Sequence, residues 1–164
     1  MRTSRSRGFT LIEMLVTLAI FAVLLMIAIP SMRPFLQSQS VKNASMDINS
    51  TVTLARSEAI KRNATVDVKA NSATTDWTQG WAVSQTTTTP PVTTDVIRKQ
   101  PALGNIVITP ANGGSFSFDG NGRMPTTEAK FTIKPLNKTG SQPLCLTVTV
   151  GATGRVESTK VTCT

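Results

Sequence analysis

The longest apolar stretch of the chain lies at its start, from Phe9 to Ile29, and it contains a single charged side chain, Glu13. The stretch is 21 residues long. At a rise of about 1.5 Å per residue, a helix of about 20 residues crosses the hydrocarbon core of a bilayer. The pattern therefore predicts a membrane-spanning helix over residues 9–29.

Beyond this stretch, apolar residues recur every three or four positions, which is typical of a helix with one buried face. The helix is expected to continue over residues 30–63, with a kink at Pro30, because proline removes a backbone hydrogen bond. Asn63 is its predicted end, and Glu58 and Arg62 have the spacing of a favourable ion pair. The predicted buried stripe consists of Val41, Ala44, Ile48, Val52, Ala55 and Ala59.

After Ala64 the apolar period changes to two, which predicts β-strands. Glycine- and asparagine-rich turns separate the strand candidates, and such short connections favour antiparallel pairing. The expected fold class is α+β, with a long N-terminal helix packed on antiparallel β-sheets that form a globular domain over residues 64–164. A Thr- and Pro-rich segment over 85–94 is expected to be an exposed loop. The predicted strands are residues 64–70, 80–85, 96–98, 106–109, 115–118, 130–134, 144–150 and 155–161.

A secretory signal peptide is the alternative interpretation of the apolar stretch, because such peptides also begin with basic residues such as Arg2, Arg5 and Arg7. The stretch is longer than the usual apolar core of a signal peptide, and no small-residue cleavage site closes it before Pro30. It also contains a carboxylate, that of Glu13. These features favour a helix that stays in the mature protein.

An ionised carboxylate in a lipid-facing helix costs roughly 2.5 kcal/mol or more unless it is paired, so Glu13 needs a partner. The uninterrupted motif Gly8-Phe9-Thr10-Leu11-Ile12-Glu13 resembles the type III signal sequence of type IV pilins and type II secretion pseudopilins. The resemblance implies that a prepilin peptidase removes the cytoplasmic leader, residues 1–8, by cutting after Gly8, and methylates the new N-terminal Phe9. It also implies that Glu13 aids assembly by pairing with the amine of a neighbouring subunit.

Further segments extend the resemblance over most of the chain: LARSEAIKRNATVDV, WTQGWAV, FSFDGNGR and CLTVTVGATGRV. They are similar to the GspH/FimT (FimU) class of minor pilins and pseudopilins. The class implies a pilin-like fold, in which a long N-terminal helix lies on β-sheets. It also implies a structural subunit for assembly or priming of a type IV pilus or a type II secretion pseudopilus. The implied partners are other major or minor pilins or pseudopilins in a filament, besides the prepilin peptidase and the inner membrane.

The charge balance bears on how the chain is inserted in the membrane. The chain has 17 basic and 9 acidic side chains. Three arginines lie in the predicted leader, so 14 basic side chains remain against 9 acidic ones, a net charge of +5. Basic residues before a span keep that end cytoplasmic. We therefore expect a single-pass protein of the bacterial inner membrane with a periplasmic C-terminal domain, which later enters the pilus or pseudopilus.

The two cysteines, Cys145 and Cys163, fall in the domain predicted to be periplasmic, where disulfides form and persist. One bridge between them is expected, worth about 3 kcal/mol in the chain-entropy model. If residues 151–154 form a four-residue turn, Cys145 lies opposite Lys160 and the bridge ties the tail back across the sheet. The chain contains no histidine, so neither an ordinary zinc site nor a Ser-His or Cys-His arrangement is expected. We expect no metal, no cofactor and no enzymatic activity.

DNA binding for uptake in natural transformation is the alternative function. Some FimT-like proteins bind DNA through arginines in a C-terminal turn of the form GRxR, and here the turn is Gly154-Arg155-Val156-Glu157, with an acid in place of the second arginine. Arg155 and Lys160 are the candidate DNA contacts, and Arg123 and Lys138 are further basic positions.

Trp77 and Trp81 allow two interpretations. Aromatic side chains near basic residues can stack on nucleic acid bases, but they are more often buried in a core or at a subunit contact. We expect both to be core residues.

Overall fold

Helix α1 spans Leu11–Arg62 and is the longest element of the molecule. The predicted end at Asn63 is confirmed: Asn63 adopts the left-handed conformation (φ 47°, ψ 44°), and its N–H contacts the carbonyls of Ala59 and Ile60. The side chain of Pro30 lies outside the described part of the chain, so the kink stays a prediction.

The computed structural model describes residues 8–72, 76–87, 92–111, 114–125, 128–137 and 143–163, without the side chains at positions 30 and 31.

In the described part of the chain, eight strands form two antiparallel four-stranded sheets. The strands are β1 Val66–Ala70, β2 Trp81–Thr86, β3 Thr94–Lys99, β4 Ile106–Pro110, β5 Ser115–Phe118, β6 Glu128–Pro135, β7 Cys145–Gly151 and β8 Val156–Val161. The strand orders are β3-β2-β1-β5 and β4-β6-β7-β8, and α1 packs against strands of both sheets. The predicted α+β fold is confirmed, and every strand lies within two residues of its predicted bounds.

The core lies between one face of α1 and the inner faces of the sheets. All six residues of the predicted helical stripe are at most 1% exposed. Trp77 begins a short 3-10 helix, Trp77–Gln79, and its ring centroid lies 5.2 Å from that of Trp81 and 4.4 Å from that of Phe131. Both tryptophans are buried, which confirms the core interpretation and leaves neither ring available to stack on a base.

Each buried indole N–H has an acceptor. Trp77 Nε1 donates to the carbonyl of Gly114 and Trp81 Nε1 donates to Thr51 Oγ1 on α1, both at 2.9 Å. Thr51 in turn donates to the carbonyl of Asp47 at 2.8 Å. Because an unpaired buried donor is costly, the Trp81 bond holds α1 in a defined position against the first sheet.

The last turn of α1 is tied to β3 by ion pairs. Arg62 lies 2.8 Å from Glu58, which confirms the predicted pair, and its guanidinium also donates to Asp95 at 2.5 Å. The hydrogen bond from Arg62 holds the pKa of Glu58 below its usual value. The bonds to Asp95 and Glu58 raise the pKa of Arg62. The helix end is thus connected to the edge of the first sheet.

The loop between β7 and β8 is shorter than expected. A four-residue turn was expected over 151–154, but the N–H of Gly151 donates to the carbonyl of Arg155 at 2.9 Å, so Gly151 still belongs to the ladder. Three residues remain in the loop, and its last residue, Gly154, has φ 77°. A left-handed glycine at this position is typical of three-residue hairpin loops.

The disulfide between Cys145 and Cys163 is present and confirms the expected bridge. Because the loop is one residue shorter, Cys145 lies opposite Val161, and the expected register against Lys160 was wrong by one residue. The two Cα atoms are 5.4 Å apart. The bridge connects the chain beyond β8 to the start of β7.

Candidate assembly segment and charged surfaces

The residues predicted to act in processing lie just before the helix. Gly8 and Phe9 precede α1, and a Cβ placed on Gly8 would have no atom within 4 Å. The side chain of Phe9 is 77% exposed. The predicted cleavage point between Gly8 and Phe9 therefore lies in an accessible segment outside the helix.

Glu13 lies in the first turn of α1. Thr10 is the N-cap residue, and its Oγ1 accepts the N–H of Glu13 at 3.2 Å. A carboxylate in the first turn interacts favourably with the positive end of the helix dipole. The side chain of Glu13 is exposed, so the helix presents one carboxylate on an otherwise apolar surface, about one helical turn from Phe9.

The first half of α1 packs against no other part of the molecule that the structure describes. Leu11–Ile29 is long and apolar enough to cross a membrane, and none of this 19-residue segment is buried. Exposed apolar side chains continue beyond it at Met32, Phe35 and Leu36. A large exposed apolar surface of this kind is typical of a membrane or protein contact.

The structure separates Arg155 from Lys160, the two predicted DNA contacts. Arg155 precedes β8 and Lys160 lies near its end, about 17 Å away at roughly 3.3 Å per residue. Lys138 lies outside the described residues. Arg155 is brought together instead with Arg123 and with Arg56 of α1, which the sequence analysis did not single out.

Arg123 and Arg155 lie on two adjoining loops that both contact Arg56 of α1, and the three residues are called here the arginine cluster. A Cβ on Gly122 would lie 3.2 Å from Cγ of Arg56, and a Cβ on Gly154 would lie 3.0 Å from its Cδ. The side chain of Arg56 therefore passes between the loops that carry the other two arginines. None of the three forms an ion pair with another described residue.

The two loops of the arginine cluster are held in place by backbone hydrogen bonds. The N–H of Met124 donates to the carbonyl of Ala152 at 2.9 Å, which joins the loops directly. Asp119 Oδ1 accepts the backbone N–H groups of Asn121 and Arg123 at 3.0 and 2.9 Å. This carboxylate closes the turn that carries Arg123 and forms no ion pair with a described arginine.

Lys160 lies beside Lys42 of α1 rather than with the arginines. The hydroxyls of Ser45 and Ser158 are 2.8 Å apart, so this face of β8 lies against the helix. Lys42 and Lys160 line a cavity of about 390 Å³ together with Ser38. No sequence motif predicts that these two lysines line one cavity, because their proximity depends on how β8 crosses α1.

The described residues offer no catalytic arrangement. Another cavity, of about 630 Å³ beside β4, has Asp76 as its single charged lining residue. No group of three or more Cys, Asp or Glu side chains within the described ranges could hold a metal ion. A lone carboxylate without a nucleophile or second acid does not make a hydrolytic site.

Comparison with known families decides the classification. Residues 44–154, more than half of the chain, match the family model for the type II transport protein GspH. The chain belongs to the GspH family. Residues 3–29 of this GspH-family chain also match the prokaryotic N-terminal methylation motif. The resemblance inferred from the sequence is therefore confirmed for both the N-terminal motif and the C-terminal domain.

Solved structures show the same fold around the GspH domain. The minor pilin FimU of Pseudomonas aeruginosa is 20% identical, with a TM-score of 0.59 over 75% of this chain and 90% of that one. The minor pseudopilin EpsH from the type 2 secretion system of Vibrio cholerae is 16% identical, with a TM-score of 0.55 over 74% and 97%. At these identities the likeness is one of fold. A comparison with curated proteins found no match.

Proposed function

We propose that this GspH-family chain is a minor pilin or pseudopilin, a structural subunit that assembles into or primes a type IV pilus or a type II secretion pseudopilus. One observation carries the proposal. Helix α1 continuously joins a methylation motif over residues 3–29 to a GspH domain over 44–154, and the apolar half of the helix is unburied. A filament of packed N-terminal helices would cover that surface.

The proposed pathway begins at the inner membrane. The prepilin peptidase cuts after Gly8 and methylates Phe9, in the accessible segment before α1. The leader arginines hold the N-terminus in the cytoplasm, so residues 9–29 span the bilayer and residues 64–164 lie in the periplasm. Subunits are then drawn from the bilayer into the filament, where the apolar helices pack together.

Glu13 acts in the proposed pathway as the charged group that aligns an incoming subunit. In the filament its carboxylate pairs with the methylated amine of Phe9 in a neighbouring copy or a related pilin. Enclosure by neighbouring helices lowers the effective dielectric, which strengthens attraction between opposite charges. The apolar surface drives the packing of neighbouring helices but does not fix how far one helix is shifted along another. The charge pair forms at only one such shift.

Isolation of filaments from the native cell tests this function. We expect the chain to be recovered with other pilins or pseudopilins when surface filaments are sheared and purified, and filament assembly to fall when its gene is deleted. The identity of the co-purifying subunits distinguishes the pilus from the secretion system. Unchanged assembly in the deletion strain, with the chain confined to membranes, would contradict the proposal.

DNA binding is a second candidate function, and the arginine cluster is the observation that favours it. Phosphate groups are bound by several cationic side chains at once, and Arg56 and Arg123 add two cations to Arg155. They offset the acid at Glu157, which occupies the place of the second arginine in the GRxR pattern. This function would belong to the exposed end of the domain, distant from the membrane-spanning half of α1.

A mobility-shift titration with the full chain in neutral detergent tests DNA binding. The variant Arg56→Gln/Arg123→Gln/Arg155→Gln is compared with Lys61→Gln/Lys69→Gln/Lys99→Gln, which removes the same charge elsewhere. If each arginine neutralises a phosphate, the triple arginine variant binds duplex DNA more weakly than the wild type. The plot of log binding constant against log salt concentration then becomes shallower by about 3. Equal losses of DNA affinity in the two triple variants would mean that net charge, and not the arginine cluster, is responsible for binding.

A further inference from the structure

The cavity lined by Lys42 and Lys160, called here the lysine cavity, lies between α1 and β8. It encloses about 390 Å³, and its polar side chains are those of Ser38, Lys42 and Lys160. The other lining residues are apolar or belong to the disulfide, and no described acidic residue lines it. Two cations from different elements therefore face one accessible space.

The acids closest in sequence are directed elsewhere. Glu157 is on β8, but side chains alternate along a strand, so it lies on the face opposite Ser158 and Lys160. The carboxylate of Asp47 accepts a hydrogen bond from Gln100 Nε2 at 3.3 Å, toward the first sheet. Neither lysine forms an ion pair with a described residue. An anion bound in the cavity would be attracted by both ammonium groups.

The walls of the lysine cavity are fixed before any ligand binds. The Ser45–Ser158 contact of 2.8 Å holds β8 against α1, and the Cys145–Cys163 disulfide holds the other end of the strand. The backbones that carry the two lysines are therefore held in place, and binding an anion has to order only the exposed lysine side chains.

The position of the cavity along α1 indicates the source of the anion. Exposed apolar side chains continue along the helix to Leu36, which is 57% exposed. Ser38 lies about 40 Å along the helix from Leu11, close to the roughly 40–45 Å of a bilayer with its headgroups. Lys42 follows Leu36 within about two helical turns, and basic residues just beyond an apolar surface are typical of a membrane interface.

We propose that the lysine cavity binds a phosphate group, contributed by an anionic phospholipid headgroup or by free phosphate at the membrane surface. Lys42 and Lys160 supply the charge, whereas the Ser38 hydroxyl donates to the carbonyl of Pro34 at 2.9 Å and lines the cavity without a free donor. The lipid source rests on the membrane anchoring proposed above, whereas binding of free phosphate does not. The site holds the globular domain on the bilayer until a subunit is withdrawn.

Native mass spectrometry of the full-length chain in neutral detergent, titrated with phosphatidylglycerol, tests the proposal. Lys42→Gln/Lys160→Gln is compared with the control Lys61→Gln/Lys69→Gln, which removes equal charge far from the cavity. We expect phosphatidylglycerol to bind about fivefold more weakly for each cavity lysine removed, and the control to match the wild type. Arginine at both positions should restore binding.

Inorganic phosphate distinguishes the two sources. If it displaces phosphatidylglycerol from the wild type, the cavity takes a free phosphate group. If inorganic phosphate does not displace the lipid, while the cavity variant loses lipid, the headgroup of the intact phospholipid is the ligand. Equal lipid binding by the two double variants would overturn the proposal. So would a cavity variant that keeps its lipid and fails only in filament assembly, since the cavity would then contact another subunit. These assays need no filament, so their failure leaves the pilin function standing.

Discussion

At the scale of single residues, Glu13 presents a conflict between burial and charge. Its carboxylate lies in the first turn of a helix whose other nearby side chains are apolar or carry an uncharged hydroxyl, as in Thr10 and Thr17. At the membrane edge, water and the helix dipole stabilise the charge, whereas a filament core excludes water. An unpaired charge there is costly, so the residue is useful only if a partner cation arrives at the same position.

Glu13→Gln should separate processing from assembly. The substitution keeps size and removes charge, so we expect the variant to be cleaved and inserted normally but to enter filaments severalfold less than the wild type. Its abundance in sheared filaments relative to membranes measures this, with Glu13→Asp as a control that keeps the charge. Equal incorporation of Glu13→Gln would remove Glu13 from the mechanism.

Gly8→Val should block cleavage. The peptidase must accommodate the residue before the cut, and a branched side chain replaces a hydrogen there. We expect membranes to contain a precursor eight residues longer than the processed chain, detected by intact mass. The variant Ser6→Ala, which changes the leader away from the cut, serves as the control and should be cleaved normally. Normal processing of Gly8→Val would show that the cut lies elsewhere.

Thr51→Val should destabilise the domain through a hydrogen bond rather than through volume. Valine has nearly the same shape but leaves the buried Nε1 of Trp81 without its acceptor. We expect a loss of about 1–3 kcal/mol in the free energy of unfolding, and little change for Thr51→Ser, which keeps a hydroxyl. Denaturant unfolding followed by tryptophan fluorescence measures both. If Thr51→Val leaves the free energy of unfolding unchanged, the Nε1 of Trp81 must find another acceptor.

At the scale of elements, the periodicity of apolar residues predicted the helix and all described strands. The alternation in β6 and β7 survives in the structure because one face of each strand is buried. The register of the last hairpin was not predictable in the same way. It depends on whether Gly154 adopts positive φ, and both a three-residue and a four-residue loop suit the sequence from Gly151 to Gly154.

The last hairpin also carries the disulfide, and Cys145→Ser should show its contribution. The bridge restricts the unfolded chain and ties the tail to β7, so we expect a loss of about 2–4 kcal/mol in the free energy of unfolding. Thermal unfolding of the periplasm-exported protein measures the loss, and Cys163→Ser should give the same value. Free thiols on both residues in the wild type would contradict the expected oxidation.

At the scale of the whole molecule, charge is distributed by tertiary structure in a way that chain order does not reveal. Arg155 and Lys160 are close in sequence, yet the fold places them with different partners: Arg155 with Arg56 and Arg123, and Lys160 with Lys42. The N-terminal motif, by contrast, is local and contiguous, so it was recognisable in full from Gly8 to Glu13.

The central claim is that this chain is a processed filament subunit, and the mass of its N-terminal peptide in sheared filaments tests it most directly. The account predicts a chain that begins at Phe9 and carries a methyl group on its α-amine. Recovery from filaments of a chain that begins near Met1 or beyond Pro30 would contradict the account, as would its consistent absence from filaments.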